Sequence, residues 1–136
     1  MGDVYADITL TNSCDTTNAQ RGVISKKDIR TLKTNALVDT GASTLIINDD
    51  VCEKLGLQIE SMHTSTLANG QKAPCKVTEP VRIIWHDRES VCRAYVLPGL
   101  EDILLGAIPL EDMDLIIDPR QGVLTGKHGD IAMIRV

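Results

Sequence analysis

The segment Ala36-Leu37-Val38-Asp39-Thr40-Gly41-Ala42-Ser43-Thr44 constrains the fold of this chain more than any other. Ala36-Leu37-Val38 is a short apolar strand that stops at Asp39, and Thr44-Leu45-Ile46-Ile47 resumes as a β-branched, apolar second strand. A carboxylate between two buried strands is expensive unless it is hydrogen-bonded or functional. Thr40 can donate from its hydroxyl, and Ser43 can donate to the outer carboxylate oxygen. Gly41 permits a tight turn and the close approach of another backbone or of a substrate.

The rest of the chain reads mainly as short strands. Val4, Ala6, Ile8 and Leu10 alternate with Tyr5, Asp7 and Thr9, the period of a half-buried strand. Residues 11–22 are polar and read as a loop. Ile24 to Lys33 is ambiguous, with Ser25 able to open a helical turn. Asn48 or Asp49 can cap a short helix from Asp50 to Leu55, with Gly56 as its C′ residue. Asn69-Gly70 signals a tight turn between strands Thr64–Ala68 and Gln71–Val77. Val81, Ile83 and Trp85 point one way, His86–Glu89 turns the chain, and Val91–Leu97 returns. Ile103-Leu104-Leu105 is a buried strand stopped by Gly106, and Pro109 can begin a helical turn. Leu115–Ile117 and Ile131–Val136 are expected as the last two strands. Many short strands with a turn signal every eight to twelve residues predict an all-β barrel or sandwich with one or two short helices.

A length of 136 residues suits one domain, 1–136, and 43% apolar residues suffice for a core. Phe is absent, and Trp85, Tyr5 and Tyr95 are the aromatic residues, so the core must be aliphatic and offers no platform for stacking bases. A net charge of −5 without a basic run argues against nucleic-acid binding. No stretch is apolar for long enough to span a membrane, and Asp3 and Asp7 interrupt any early apolar run, so no signal peptide is expected. Cys14, Cys52, Cys75 and Cys92 form no CxxC spacing. They read as reduced thiols of a cytoplasmic protein.

Val38-Asp39-Thr40-Gly41-Ala42-Ser43, followed by its apolar strand, resembles the active-site loop of retropepsin-like aspartic proteases. Ile103-Leu104-Leu105-Gly106 is similar to the apolar-apolar-Gly element that crosses under that loop in the family. The stretch from Leu104 to Glu111, continuing through Leu115-Ile116-Ile117-Asp118-Pro119, resembles small bacterial members of the clan. The resemblance covers roughly residues 30–125. Retroviral enzymes commonly carry an acid where Ser43 stands and an Arg where Ala107 stands. Those two family residues pair with each other, so losing both leaves no unpaired buried charge.

The resemblance implies an aspartic endopeptidase with Asp39, Thr40 and Gly41 as catalytic residues. Its chemistry needs two carboxylates sharing a proton around one water. The chain has one Asp-Thr-Gly and no second Asp-Thr/Ser-Gly, so the resemblance implies a homodimer with Asp39 of each copy on a two-fold axis. Peptide or protein would be the substrate, with no cofactor and no metal. The flap is expected at the Asn69-Gly70 hairpin, beside Ala68 and Gln71. Leu37, Ala42, Ser43, Ile46, Asp102 and Leu104 match substrate-binding positions. The alternative is a catalytically silent dimeric module on the same fold, which would hold a peptide or protein without turnover. The terminal segment Ile131–Val136 is expected to pair across the dimer, because an apolar terminal strand is otherwise an open edge.

Other residues carry blander expectations. His63, His86 and His128 are too scattered for a metal-binding spacing and read as surface residues. Glu101-Asp102 and Glu111-Asp112-Asp114 read as solvated acids, Cys52 as structural, and Met113 and Met133 as core.

Overall fold

The computed structural model describes residues 2–133. Strand β1 (Tyr5–Asn12) runs antiparallel to β2 (Thr31–Val38), and the remaining strands are β3 (Leu45–Ile47), β4 (Ile59–Thr66), β5 (Lys72–Trp85), β6 (Arg88–Val96), β7 (Leu104–Leu105), β8 (Leu115–Asp118) and β9 (Val123–Gly126). The main sheet has the order β1-β2-β7-β3-β6-β5-β4, and β1 pairs additionally with β5. β8 and β9 form a separate antiparallel pair. The fold is mostly β, with three short helices among the described residues: α1 (Ser13–Gln20), α2 (Asp49–Lys54) and α3 (Ala107–Asp112). That is one more than the sequence suggested. No helix of the described residues is long and apolar enough to cross a membrane.

Period-two alternation explains the core. Val4, Ala6, Ile8 and Leu10 are all buried, as are Val81 and Ile83 on β5 and Ala94 and Val96 on β6. Two rows of cross-strand neighbours run through the sheet. Val38, Leu105, Leu45 and Ala94 are successive partners in the inner row, and all four are buried. One residue away, Tyr5, Leu37, Leu104, Ile46, Tyr95 and Val77 are successive partners in the other row. The parity of each strand therefore decides which side chains fill the core and which line the opposite surface.

Three local readings need correction. Residues 11–22 are not simply a loop, since α1 occupies Ser13–Gln20. Asn12 starts it: its Oδ1 accepts from the Asp15 N–H at 3.1 Å, while its Nδ2 donates to the Leu55 carbonyl at 2.9 Å. The helix has no apolar stripe, so hydrophobic periodicity could not reveal it. Helix α3 begins at Ala107, two residues before Pro109, with Gly106 at its N-cap. Near the C-terminus, Ile131–Met133 is not a strand, and residues 134–136 of the expected terminal strand lie outside the described residues. Met133 is 59% exposed and is not a core residue. The last strand of the described residues is instead β9, whose only apolar residues, Val123 and Leu124, are too few to mark a strand in the sequence.

Helix α2 follows the expected capping within one residue at each end: Asn48 Oδ1 accepts from the Val51 N–H at 2.9 Å, and Gly56 follows at φ 60°. The anticipated turn after Ser25 is a single 3-10 turn at Lys26–Asp28, where the Ser25 N–H donates to Asp28 Oδ2 at 3.3 Å.

Candidate active site

The loop 39–44 leaves β2 and enters β3, and β7 lies between those two strands, parallel to β2 and antiparallel to β3. This arrangement holds the loop from both sides. The Asp39 N–H donates to the Leu105 carbonyl at 3.0 Å, and the Leu37 N–H donates to the Ile103 carbonyl at 2.8 Å. On the other side, the Ala107 and Ile108 N–H groups donate to the Ala42 and Ser43 carbonyls, each at 2.9 Å. Thr44 is buried, and its hydroxyl donates to the Arg93 carbonyl at 3.1 Å.

The Asp39 carboxylate is half-buried and accepts from the Gly41 N–H at 2.9 Å. Among the described residues, neither Thr40 nor Ser43 donates to it; both are exposed. Asp39, Gly41, Ala42 and Ser43 form one side of a cleft of about 580 Å³. Ile46 and Leu104, from the outer row of the sheet, line its floor, and Tyr95 and Leu97 continue that wall. Thr64 to Ala68 and Cys75, from the β4–β5 hairpin, line the remaining side. Asp39 carries the one charged side chain among these lining residues.

The structure thus brings Asp39, Gly41, Ala42, Ser43, Ile46, Ala68 and Leu104 around one cavity. Thr40, Leu37, Asn69, Gly70 and Asp102 fall outside its lining. Asn69 and Gly70 sit at the hairpin tip, where Gly70 has φ 83° and donates its N–H to the Leu67 carbonyl at 2.9 Å. Leu37 lies one strand further along the outer row, between Tyr5 and Leu104. Asp102 accepts from the Tyr5 hydroxyl at 3.4 Å.

Sequence reasoning did not single out Thr64, Ser65, Thr66, Leu67, Cys75, Tyr95 and Leu97. Tyr95 and Leu97 carried a usable signal. Ala94 and Val96 face the core, so strand parity turns 95 and 97 to the other side. Thr64, Ser65 and Thr66 carried none, because β4 is exposed or half-exposed along its whole length.

A second polar cluster lies near the C-terminal part of the described chain. Arg88 is buried and donates through Nη1 to the Met113 and Asp114 carbonyls, each at 2.8 Å, and through Nη2 to the Gly129 carbonyl. Asp114 is only 6% exposed, contrary to its reading as a solvated acid. Its carboxylate accepts from the Met133 N–H at 3.0 Å and meets His128 Nδ1 at 2.8 Å. Burial pushes the Asp114 pKa up, but the Met133 N–H and the His128 ring outweigh it and hold the carboxyl below its ordinary value. His128 is therefore a surface residue with a structural partner.

Asp39, half-buried at a tight turn between two strands, thus faces a β-hairpin across the cleft. A family model described as gag-polyprotein putative aspartyl protease matches residues 25–112, and the chain belongs to that family. No curated protein gives a significant match. The matched span runs from the turn before β2 to the end of α3, and so includes the loop, the hairpin and β7.

Proposed function

We propose that the chain is an aspartic endopeptidase that works as a homodimer, with Asp39 of each copy forming the catalytic dyad. The observation that carries this reading is one carboxylate, Asp39, at the edge of an apolar cleft whose other side is a β-hairpin. Hydrolysis by this chemistry needs two such carboxylates. One, ionised, takes a proton from the attacking water, and the other, protonated, polarises the scissile carbonyl. Two close like charges cannot both ionise easily, so the dyad shares one proton. Each chain supplies one group, and a two-fold axis through the loop supplies the other. Thr40, exposed beside Asp39, is available to bond across that axis.

Support for a closed β-barrel comes from the pairing of β1 with both β2 and β5. The substrate is an extended peptide lying between the loop and the hairpin, with Leu67 and Ala68 near the hairpin tip contacting it. Ile131–Met133, exposed in the single chain, is the segment available to pair across the dimer. The four cysteines, none in a disulfide, accord with a cytoplasmic enzyme.

The test is a peptide-library digest read by mass spectrometry between pH 4 and 7, with wild type beside Asp39→Asn. Discrete cleavage by wild type alone supports the peptidase. No cleavage by a folded, dimeric wild type replaces it with a module that binds peptide without turnover.

A further inference from the structure

Beyond Tyr95, on the side away from Leu97, lies a smaller groove of about 180 Å³. Its lining includes Thr44, His63, Arg93, Tyr95 and Ile108. Three elements contribute neighbouring residues to the cleft and to this groove. The loop gives Ser43 to the cleft and Thr44 to the groove, β4 gives Thr64 and His63, and the Tyr95 side chain borders both. The two hollows are therefore adjacent, with one side chain as the partition. In an extended peptide, alternate side chains point the same way and stand about 7 Å apart. A peptide seated in the cleft would thus carry its next same-facing side chain over Tyr95 and into the groove.

The lining of the two hollows differs in charge. The cleft has no cationic side chain in its lining, whereas the lining of the groove includes Arg93, with the polar His63 ring beside it and no carboxylate. The His63 ring stands edge-on to Tyr95, with centroids 5.7 Å apart and planes at 70°. Arg93 Nε is taken by Glu60 at 2.6 Å, but among the described residues its Nη1 and Nη2 have no side-chain partner. Cys92 also lines the groove, and burial pushes its thiol pKa up, so the thiol brings no negative charge there. Ile108 and Val77 supply an apolar wall for a methylene stem.

We infer that this groove is an outer subsite that selects an acidic side chain, with Arg93 and His63 as the specificity-determining residues. The inference rests on the endopeptidase reading for its substrate, but it concerns binding and stands apart from turnover. A glutamate fits the groove's form: its stem packs on Ile108 and its carboxylate bonds to the free Arg93 nitrogens. Partly exposed ion pairs are modest in strength, so the selectivity for Glu over Gln should be about two- to fivefold.

The test uses a random pool of acetylated decapeptide amides in two assays. In the first, peptides retained on immobilised Asp39→Asn protein are sequenced beside those retained on Asp39→Asn/Arg93→Gln. Enrichment of Glu or Asp at one position by the first protein, lost with the second, is expected. His63→Gln in place of Arg93→Gln should reduce it partly. In the second, the cut sites of wild type and Arg93→Gln are compared, with the change expected in KM rather than kcat. Acid selection in retention without any cutting leaves the subsite standing and removes the peptidase. Cutting with equal acceptance of Glu, Gln and Lys, or acid selection unchanged by Arg93→Gln, overturns the subsite and leaves the peptidase. Retention with no acidic preference, or no retention of any peptide, also overturns the subsite.

Discussion

Gly106 lies directly against Thr44: a Cβ built on Gly106 would stand 2.3 Å from the Thr44 carbonyl oxygen and 2.6 Å from that of Ala42. Both atoms are backbone, so neither can swing aside. The missing side chain is what lets β7 pass close enough for the Ala107 and Ile108 N–H groups to bond the loop carbonyls. Gly106→Ala should therefore destabilise the fold by about 3 kcal/mol or more, measured by urea denaturation. A loss below about 1 kcal/mol would show that the loop and β7 separate easily.

Asp39→Asn makes the opposite case. Its amide oxygen can still accept from the Gly41 N–H, so the turn should survive. Stability should stay within about 1 kcal/mol of wild type, while peptide cleavage falls by about a thousandfold or more. Thermal unfolding and the cleavage assay on the same preparation separate the two effects.

Asp15 ties α1 to the start of β2. It accepts from Arg30 Nε at 2.8 Å, Nη2 at 2.9 Å and the backbone N–H at 3.0 Å. The Arg30 hydrogen bonds hold its carboxyl below the ordinary range, and burial opposes them. A carboxyl lowered in the folded state stabilises the protein fully above its unfolded value, near pH 4, and ceases to do so as pH falls through the folded value. Asp15→Asn should cost about 1–2 kcal/mol at pH 7. The gap between variant and wild type should narrow progressively below about pH 4. Denaturation curves across pH 2–7 test this, and a gap independent of pH would remove the ionised pair from the account.

Arg88 satisfies three carbonyl oxygens from two separate segments, Met113 and Asp114 in one and Gly129 in the other. Arg88→Met keeps much of the stem's packing and removes every donor. About 1–3 kcal/mol should be lost, because the buried Met113 carbonyl loses its donor and those of Asp114 and Gly129 each lose one. Amide exchange should quicken at Lys127, whose N–H donates to the Asp114 carbonyl at 2.8 Å. Unchanged exchange there would show that the clamp is dispensable.

Ile131 is 84% exposed, and Ile131–Met133 is not in a strand of the single chain. If residues 131–136 pair across a dimer, a chain ending at Asp130 should sediment as a monomer while keeping its far-ultraviolet spectrum. A dimer that persists without them assigns the interface to another surface.

The loop around Asp39 was legible because its signal is local: an apolar strand, Asp-Thr-Gly, and another apolar strand within twelve residues. The Asn48 cap, the Asn69-Gly70 turn and the alternation of β1 and of Val81, Ile83 and Trp85 on β5 were legible for the same reason. Helix α1 was not, because its residues show no apolar period and its start depends on Asn12, which also bonds Leu55 across 43 positions. The burial of Asp114 was equally hidden, since its partners His128 and Met133 follow it by 14 and 19 positions. Strand β9 is short and has two apolar residues, too few to establish a period.

Sequence alone determined the candidate loop around Asp39, the mostly-β class of fold and the mainly aliphatic core, because strand period and turn chemistry act between near neighbours. Only the tertiary structure decided which residues surround Asp39. Ile46, Leu104 and Tyr95 come from three separate strands and meet through register, and the hairpin arrives from a fourth and fifth. Register is a relation between distant segments, set when one strand's buried face is matched to its neighbour's. It puts Tyr95 between the apolar cleft and the Arg93 groove, a placement no stretch of neighbouring residues contains.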